Sequence, residues 1–324
     1  MSILEHQLCT ELAKAKGHYD INLCLALIDK GADPNATNEH GSPVLTLAAS
    51  KGLTNVAKAL IEKGAHVNFH DRQECTALHH AALQGYNDVI LLLIDQGADL
   101  DAINTHHETA LMLAAGSGYI RAVQILCDAG ANIHHKDNLR YSALTYAAKY
   151  HHIQCAKILI KNGPTGTEGR EDAYSALEYA AQYGYADIIK DLLDSGLKPN
   201  PDHLVMAASS NKAKAVKVFL DNGIPVNARD SNNSTPLMAA AWGCAAETVE
   251  YLIKQGADPS LIEKNGTTAK DIAADKIKYT AGRKKEACEQ IIHTLDRALI
   301  SVFRTAAEAG TSKKHRIHRP VHGR

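Results

Sequence analysis

The sequence predicts an all-α fold, a repeat solenoid of about nine helix pairs with short hairpin fingers and atypical repeats at both ends. Three observations predict it: paired alanines at a fixed interval, glycines that keep the same interval, and a polar residue before most of the alanine-containing segments. Successive pairs lie 33 residues apart, except for one interval of 27. The second alanines of these pairs are Ala49, Ala82, Ala115, Ala148, Ala181, Ala208, Ala241 and Ala274. Such an interval indicates a stack of one repeated supersecondary unit.

The first helix of each unit is predicted to begin after a capping residue. In the segment 76–82 the Thr76 hydroxyl can accept a hydrogen bond from a free backbone N–H, and Leu78 and the two alanines then share one side of a helix. Gly85 is predicted to end that helix. The residues predicted to cap at the equivalent position are Thr76, Thr109, Ser142, Ser175, Asp202, Thr235 and Thr268.

A second helix and a hairpin complete the unit. The apolar run 89–94 predicts the second helix, in which a position held by Lys58, Lys157 and Lys190 in other repeats faces water. Gly97, which opens a Gly-Ala-Asp sequence, then leaves the helix for a short polar stretch that suits a hairpin turn.

These motifs resemble the ankyrin repeat. Residues 235–241 read Thr-Pro-Leu-Met-Ala-Ala-Ala and residues 64–68 read Gly-Ala-His-Val-Asn, both close to the family pattern. The resemblance covers roughly residues 4–300. It implies a non-catalytic scaffold that binds a partner protein through a concave groove of inner helices and hairpins.

The repeats also predict the domain organisation. The 27-residue interval predicts a stunted hairpin between Gly196 and Leu204, while the preceding hairpin, around 163–169, keeps its length but loses the Ala-Asp sequence and is expected to be mobile. The predicted parts are a degenerate N-terminal capping repeat at 1–36, ankyrin repeats at 37–262 with a shortened repeat near 197–229, C-terminal capping helices at 263–310, and a disordered basic tail at 311–324.

Charge is unevenly distributed along the chain. Residues 276–324 hold 12 Lys and Arg against 4 Asp and Glu, whereas residues 1–275 hold 23 against 32. The alternative function is therefore an adaptor whose basic tail docks on nucleic acid or an anionic membrane while the repeats hold a protein cargo. The acidic repeats argue against nucleic acid on the main surface.

Cysteine usage and hydropathy predict the compartment. The seven cysteines include no Cys-x-x-Cys sequence, and neither a secretory signal nor a membrane span is recognisable. We expect a monomer in a reducing cytoplasm. Some intracellular bacteria deliver ankyrin proteins into host cells as effectors, and the Lys, Asn, His and Tyr usage is compatible with that group.

Catalytic and metal motifs are not recognisable, so the chain is predicted not to be an enzyme and to hold no metal or cofactor. Cys75 and His79 lie four residues apart, but His79 holds the position at which the family's histidine bonds the backbone near the turn. Histidines in or near the hairpins are interpreted as solvated, with a pH-sensitive surface or a metal site as the alternatives. They are His66, His70, His106, His107, His134 and His135.

The predicted partner site is an aromatic cluster in the groove, because aromatic side chains surrounded by charged residues are typical of interface hot spots. Its centre is predicted to be four tyrosines of the fifth and sixth repeats, Tyr141, Tyr150, Tyr174 and Tyr183. Other tyrosines, at 86, 119, 146, 179 and 185, are predicted to pack between repeats instead. The predicted partner-binding residues are Tyr141, Lys149, Tyr150, Tyr174, Tyr183, Trp242, Leu83, Arg140 and Asp172.

Overall fold

A computed structural model describes residues 2–14, 17–163 and 167–315. In this part of the chain, 18 helices follow one another and β-structure is confined to isolated bridges, which confirms the all-α fold class. The helices are α1 (Ile3–Ala13), α2 (Ile21–Asp29), α3 (Val44–Ala49), α4 (Thr54–Glu62), α5 (Ala77–Gln84), α6 (Asn87–Asp95), α7 (Ala110–Ser117), α8 (Ile120–Asp128), α9 (Ala143–Lys149), α10 (Ile153–Asn162), α11 (Thr167–Tyr183), α12 (Ala186–Asp194), α13 (Pro201–Ser209), α14 (Ala213–Asp221), α15 (Pro236–Trp242), α16 (Ala246–Lys254), α17 (Ala269–Ile277) and α18 (Arg283–His315).

The chain forms two compact units, Met1–Tyr179 and Ala180–Arg324, whose boundary falls within α11. In the first unit, the inner helices α1, α3, α5, α7 and α9 pack in sequence as one layer, and the outer helices α2, α4, α6, α8 and α10 form a second layer. The second unit repeats this order, with α13, α15 and α17 in one layer and α12, α14, α16 and α18 in the other.

Paired alanines form the core of the inner layer. In the first unit they are completely buried, because a methyl side chain lets neighbouring inner helices approach closely. These residues are Ala48, Ala49, Ala81, Ala82, Ala114, Ala115, Ala147 and Ala148. The alanine interval in the sequence therefore marks the packing interface between repeats.

One short polar side chain organises each of five hairpins. Its Oδ1 atom accepts hydrogen bonds from the backbone N–H groups two and four residues further on, which closes the turn before the next inner helix. We call this arrangement the hairpin base. The five residues are Asn38, Asp71, Asn104, Asp137 and Asp230.

Tyrosine rings cover the turn glycines of the preceding repeat in the first unit. A Cβ atom on Gly52 would lie 2.7 Å from the Tyr86 ring, and one on Gly85 would lie 2.3 Å from the Tyr119 ring. Both glycines also have a positive φ, of 72° and 70°, which disfavours any larger residue. The packing role predicted for Tyr86 and Tyr119 is confirmed.

Two predicted local features are wrong. Ser175 does not cap a helix, because α11 already begins at Thr167 and the predicted mobile hairpin is helical from that residue; residues 164–166 lie outside the described part. Asn200, and not Asp202, caps α13 by accepting from the backbone N–H of His203 at 3.3 Å. Residues 311–315 of the predicted tail belong to α18, and the prediction for residues 316–324 lies outside the described residues.

The connections between repeats differ in length. Six residues, 195–200, connect α12 to α13, whereas fourteen residues, 96–109, connect α6 to α7. The long final helix α18 packs on α16 and α17, with Cys288 and Leu295 buried in that contact. None of the described helices is both long and apolar enough to span a membrane.

Candidate functional site

Tyr141 lies at the centre of an aromatic cluster in the first unit. It ends the hairpin base before α9, and its hydroxyl oxygen lies 2.6 Å from that of Tyr179 on α11. The Tyr141 ring meets Tyr146 and Tyr179 edge to face, with centroids 6.1 and 5.7 Å apart. Edge-to-face contact is a favoured arrangement of aromatic rings, so this hydrogen-bonded group has a defined geometry.

Tyr146 connects that cluster to two carboxylates. Its hydroxyl hydrogen is shared between Glu108 Oε1 and Asp137 Oδ2, each 2.8 Å from the phenol oxygen. Asn104 donates to the other Glu108 oxygen at 2.9 Å. Burial, followed by the two carboxylates, raises the pKa of Tyr146, so the phenol stays protonated and remains a donor.

Tyr150 is the most exposed ring of the cluster, with 51% of its surface accessible. It stacks on Tyr146, with centroids 6.2 Å apart and an interplanar angle of 24°. Gly116 on α7 makes room for both rings, because a Cβ there would lie 3.2 Å from Tyr146 and 3.7 Å from Tyr150.

Lys149 places a positive charge over the same rings. Its Nζ atom lies 4.9 Å from the Tyr141 centroid and 5.4 Å from the Tyr150 centroid, within the range of cation–π attraction. The contiguous group of Tyr141, Tyr146, Lys149, Tyr150 and Tyr179 is called the tyrosine surface below. It combines exposed aromatic area with a charge whose position is fixed by the rings.

Asp172 is not part of that exposed surface. Its side chain is 3% exposed and its Oδ2 atom accepts from His134 Nδ1 at 2.6 Å. Burial raises the pKa of this carboxyl and outweighs its hydrogen bond to His134 and its ion pair with Lys136, which lower it. The pair connects the N-terminal turns of α11 to the hairpin between α8 and α9, which contains His134. The sequence does not predict this structural role.

Three further predicted residues of the first unit are not among the five that define the tyrosine surface. Arg140 is exposed beside it, 3.9 Å from Glu171, while Leu83 on α5 is exposed and Tyr174 on α11 is half-buried.

The second unit contains the remaining two predicted residues. Tyr183 is exposed and stacks on Tyr185 with centroids 5.8 Å apart. Trp242 is 61% exposed, and Lys276 Nζ lies 3.9 Å from its ring. This tryptophan–lysine pair repeats on a smaller scale the aromatic and cationic character of the tyrosine surface.

His79 has the backbone-binding role expected for it. Its Nδ1 atom accepts from the Thr76 backbone N–H at 3.1 Å, and its Nε2 atom donates to the Glu108 carbonyl at 3.0 Å. Burial, with the nearby Asp71 carboxylate, raises the pKa of the Cys75 thiol to about 11. A protonated thiol is a poor nucleophile, so these residues give no support to a Cys–His catalytic pair.

Two members of the tyrosine surface, Tyr146 and Tyr179, were predicted only to pack between repeats. Both rings do pack, but their hydroxyls also carry the hydrogen bonds that hold Tyr141 and Glu108 in place. A signal for Tyr146 exists in the sequence: it follows Asp137 by nine residues, the same spacing that separates His80 from Asp71.

Comparison with known proteins gives the family. A model described as ankyrin repeats, in three copies, matches residues 11–104, 111–203, 177–265 and 204–292. The protein belongs to the ankyrin repeat family. Repeats of this family are in general modules for protein–protein interaction and typically form non-catalytic scaffolds.

Two curated relatives share a short ankyrin segment with this chain. The E3 ubiquitin-protein ligase KEG of Arabidopsis thaliana is 36% identical over 72 residues, which are 22% of this chain and 4% of the ligase. The human ankyrin repeat and KH domain-containing protein 1 is 36% identical over 92 residues, 28% of this chain and 3% of that protein. The matched segments are thus small parts of much longer proteins.

Proposed function

We propose that this ankyrin protein is a non-catalytic scaffold that binds a partner protein through the tyrosine surface. The observation that carries the proposal is the half-exposed Tyr150 ring, stacked on a hydrogen-bonded tyrosine and flanked by Lys149. Exposed aromatic side chains in a rigid setting are the residues that most often dominate the binding energy of interfaces.

The network below Tyr150 lowers the entropic cost of binding. Tyr146 is held by Glu108 and Asp137, and Tyr141 by Tyr179, so the surface loses little side-chain freedom when a partner covers it. The exposed ring suits an apolar side chain of the partner, and Lys149 suits a neighbouring carboxylate.

The test compares two exposed tyrosines. A partner captured from cytosolic extract is purified, and its Kd is measured for the wild type, Tyr150→Ala and Tyr279→Ala. Tyr279 is a matched control, since it is 79% exposed and is not one of the residues of the tyrosine surface. Tyr150→Ala is expected to weaken binding about tenfold or more, and Tyr279→Ala to leave it unchanged. Equal affinity of all three proteins would refute the proposal.

A second candidate function is favoured by the charge distribution. The excess of Lys and Arg in residues 276–324 supports an adaptor role in which the basic end docks on an anionic membrane or nucleic acid. Deletion of residues 311–324 should then reduce salt-sensitive binding to anionic vesicles or to duplex DNA. Binding that is unchanged by the deletion would remove this role.

A further inference from the structure

The hairpin base before α5 brings together three side chains that metals use as ligands. Asp71, Cys75 and His80 each offer one ligand atom, and these atoms all lie within 4.8 Å of one another. His80 Nε2 lies 2.9 Å from Asp71 Oδ2. Among the described residues, no other group of three or more His, Cys, Asp or Glu side chains has its ligand atoms this close together.

The repeat frame itself explains why these three positions meet. In the hairpin base before α9, the equivalent positions are Asp137, Tyr141 and Tyr146, and Tyr146 likewise lies 2.8 Å from the carboxylate. In three other hairpin bases, at least one of these positions holds a side chain that binds zinc weakly or not at all. The equivalent triplets are Asn38, Ser42 and Leu47; Asn104, Glu108 and Leu113; Asp230, Ser234 and Ala239.

We propose that Asp71, Cys75 and His80 form a binding site for a divalent transition-metal ion of the zinc type. Metal binding releases the proton of the Cys75 thiol to solvent. The resulting thiolate, with an imidazole and a carboxylate, forms a mixed set that suits zinc, which is bound in tetrahedral sites by these three ligand types. Three protein ligands leave a fourth position for water. The proposal goes beyond protein binding and assigns a metal where the sequence alone predicted none.

Burial supports this arrangement. Asp71 is 8% exposed and its Oδ1 atom is held by the backbone N–H groups of Gln73 and Cys75, which leaves Oδ2 directed at His80. Cys75 and His80 are half-buried, so an ion can enter from solvent. In a tetrahedral site with zinc–ligand distances of about 2.0–2.3 Å, the ligand atoms lie about 3.3–3.6 Å apart. His80 Nε2 and Asp71 Oδ2, which lie 2.9 Å apart, therefore have to separate slightly to admit the ion, which rotation of the His80 side chain can supply.

Cobalt spectroscopy tests the site directly. Co²⁺ is titrated into the full-length, metal-free protein, and the sulfur-to-cobalt charge-transfer band and the tetrahedral d–d bands are recorded. The proposal predicts both bands, saturation near one Co²⁺ per chain, and their loss when Zn²⁺ is added. Absence of a charge-transfer band in the folded wild type would overturn it.

The chain itself supplies conservative variants. Cys75→Ser, His80→Leu and Asp71→Asn each install the residue that another repeat carries at the same position, so the fold should be retained. Each should remove or strongly weaken the charge-transfer band. Cys127→Ser, on the outer helix α8, should leave it intact. A band that persists in Cys75→Ser would overturn the assignment, since another thiol would then be the ligand.

Thermal unfolding gives a second readout. Zn²⁺ at about a hundredfold excess over its Kd should raise the Tm of the wild type by about 5 °C. The Tm of Cys75→Ser should not change with Zn²⁺, and circular dichroism without metal verifies that this variant is folded. An equal Zn²⁺-induced shift in both proteins would contradict the site, because exposed histidines would then account for the effect.

Discussion

Two hairpin bases of the first unit share one backbone frame and differ in chemistry. Asp71 and Asp137 each accept two backbone hydrogen bonds at 2.8–3.0 Å. In each turn the residue three positions later has a positive φ, 60° at Glu74 and 62° at Arg140. The backbone therefore does not distinguish the two sites.

The side chains on this frame give the two sites different properties. In the second site, the Tyr146 hydroxyl bonds both Asp137 and Glu108, and the Tyr146 ring supports the exposed Tyr150. In the first site, His80 bonds one carboxylate, that of Asp71, beside the half-buried Cys75 thiol. The comparison teaches that the repeat fixes where three side chains meet, whereas the residue types decide whether they form a partner surface or a metal site.

The strongest way to break this comparison is to exchange the residues. Cys75→Tyr with His80→Tyr should abolish the cobalt charge-transfer band completely. In a Cys75→Ser background, Tyr141→Cys with Tyr146→His should create a new band, because Asp137 already occupies the third position. Absorption spectroscopy with Co²⁺ checks both. A folded graft without a band would show that the shared frame alone does not define the site.

A large loss of stability is expected from Tyr146→Phe, which removes one hydroxyl from two carboxylates. We expect the free energy of unfolding to fall by about 2 kcal/mol, since Asp137 and Glu108 lose a charge-assisted partner. His80→Leu should cost about 1 kcal/mol, because one carboxylate is affected.

Urea denaturation of the metal-free proteins measures these differences. The wild type provides the reference, and equal m-values are required for the comparison of free energies. A smaller loss of unfolding free energy for Tyr146→Phe than for His80→Leu would contradict the claim that the Tyr146 hydroxyl stabilises its hairpin base more than His80 stabilises the other.

The smallest expected effect comes from Gly116→Ala on α7, which reduces the space for the Tyr146 and Tyr150 rings. Gly116→Ala should change the free energy of unfolding by less than about 1 kcal/mol, because alanine favours the helix while its Cβ presses on Tyr146. The displaced rings should weaken partner binding about threefold, less than Tyr150→Ala does. Urea denaturation and a Kd measurement check the two parts, and a tenfold loss of affinity would place Gly116 closer to the interface than this geometry allows.

The repeat fold could be predicted from the sequence because its packing is local and periodic. Alanine pairs and caps such as Thr109 and Thr235 recur at a fixed interval, and the structure buries or hydrogen-bonds them as expected. The extended α11 was missed because the interval was applied to Ser175, although Glu168, Arg170 and Glu171 are good helix formers.

The candidate site was less predictable, since it depends on contacts across repeats. Tyr141, Lys149 and Tyr150 were predicted and lie together, but the bond from Tyr141 to Tyr179 spans 38 residues of sequence. Asp172 was expected near the partner, yet its buried carboxylate pairs with the half-buried His134. Charge and spacing alone cannot tell a carboxylate that meets solvent from one that fixes a helix.

Hydrogen exchange tests the central claim, that the partner is bound on the tyrosine surface, most directly. Backbone amide exchange of the chain is compared with and without saturating purified partner. The account predicts slower exchange at residues 137–150 and in the 167–179 part of α11, where the tyrosine surface lies. Protection confined to the outer helices α8 and α10, with residues 137–150 unchanged, would contradict it.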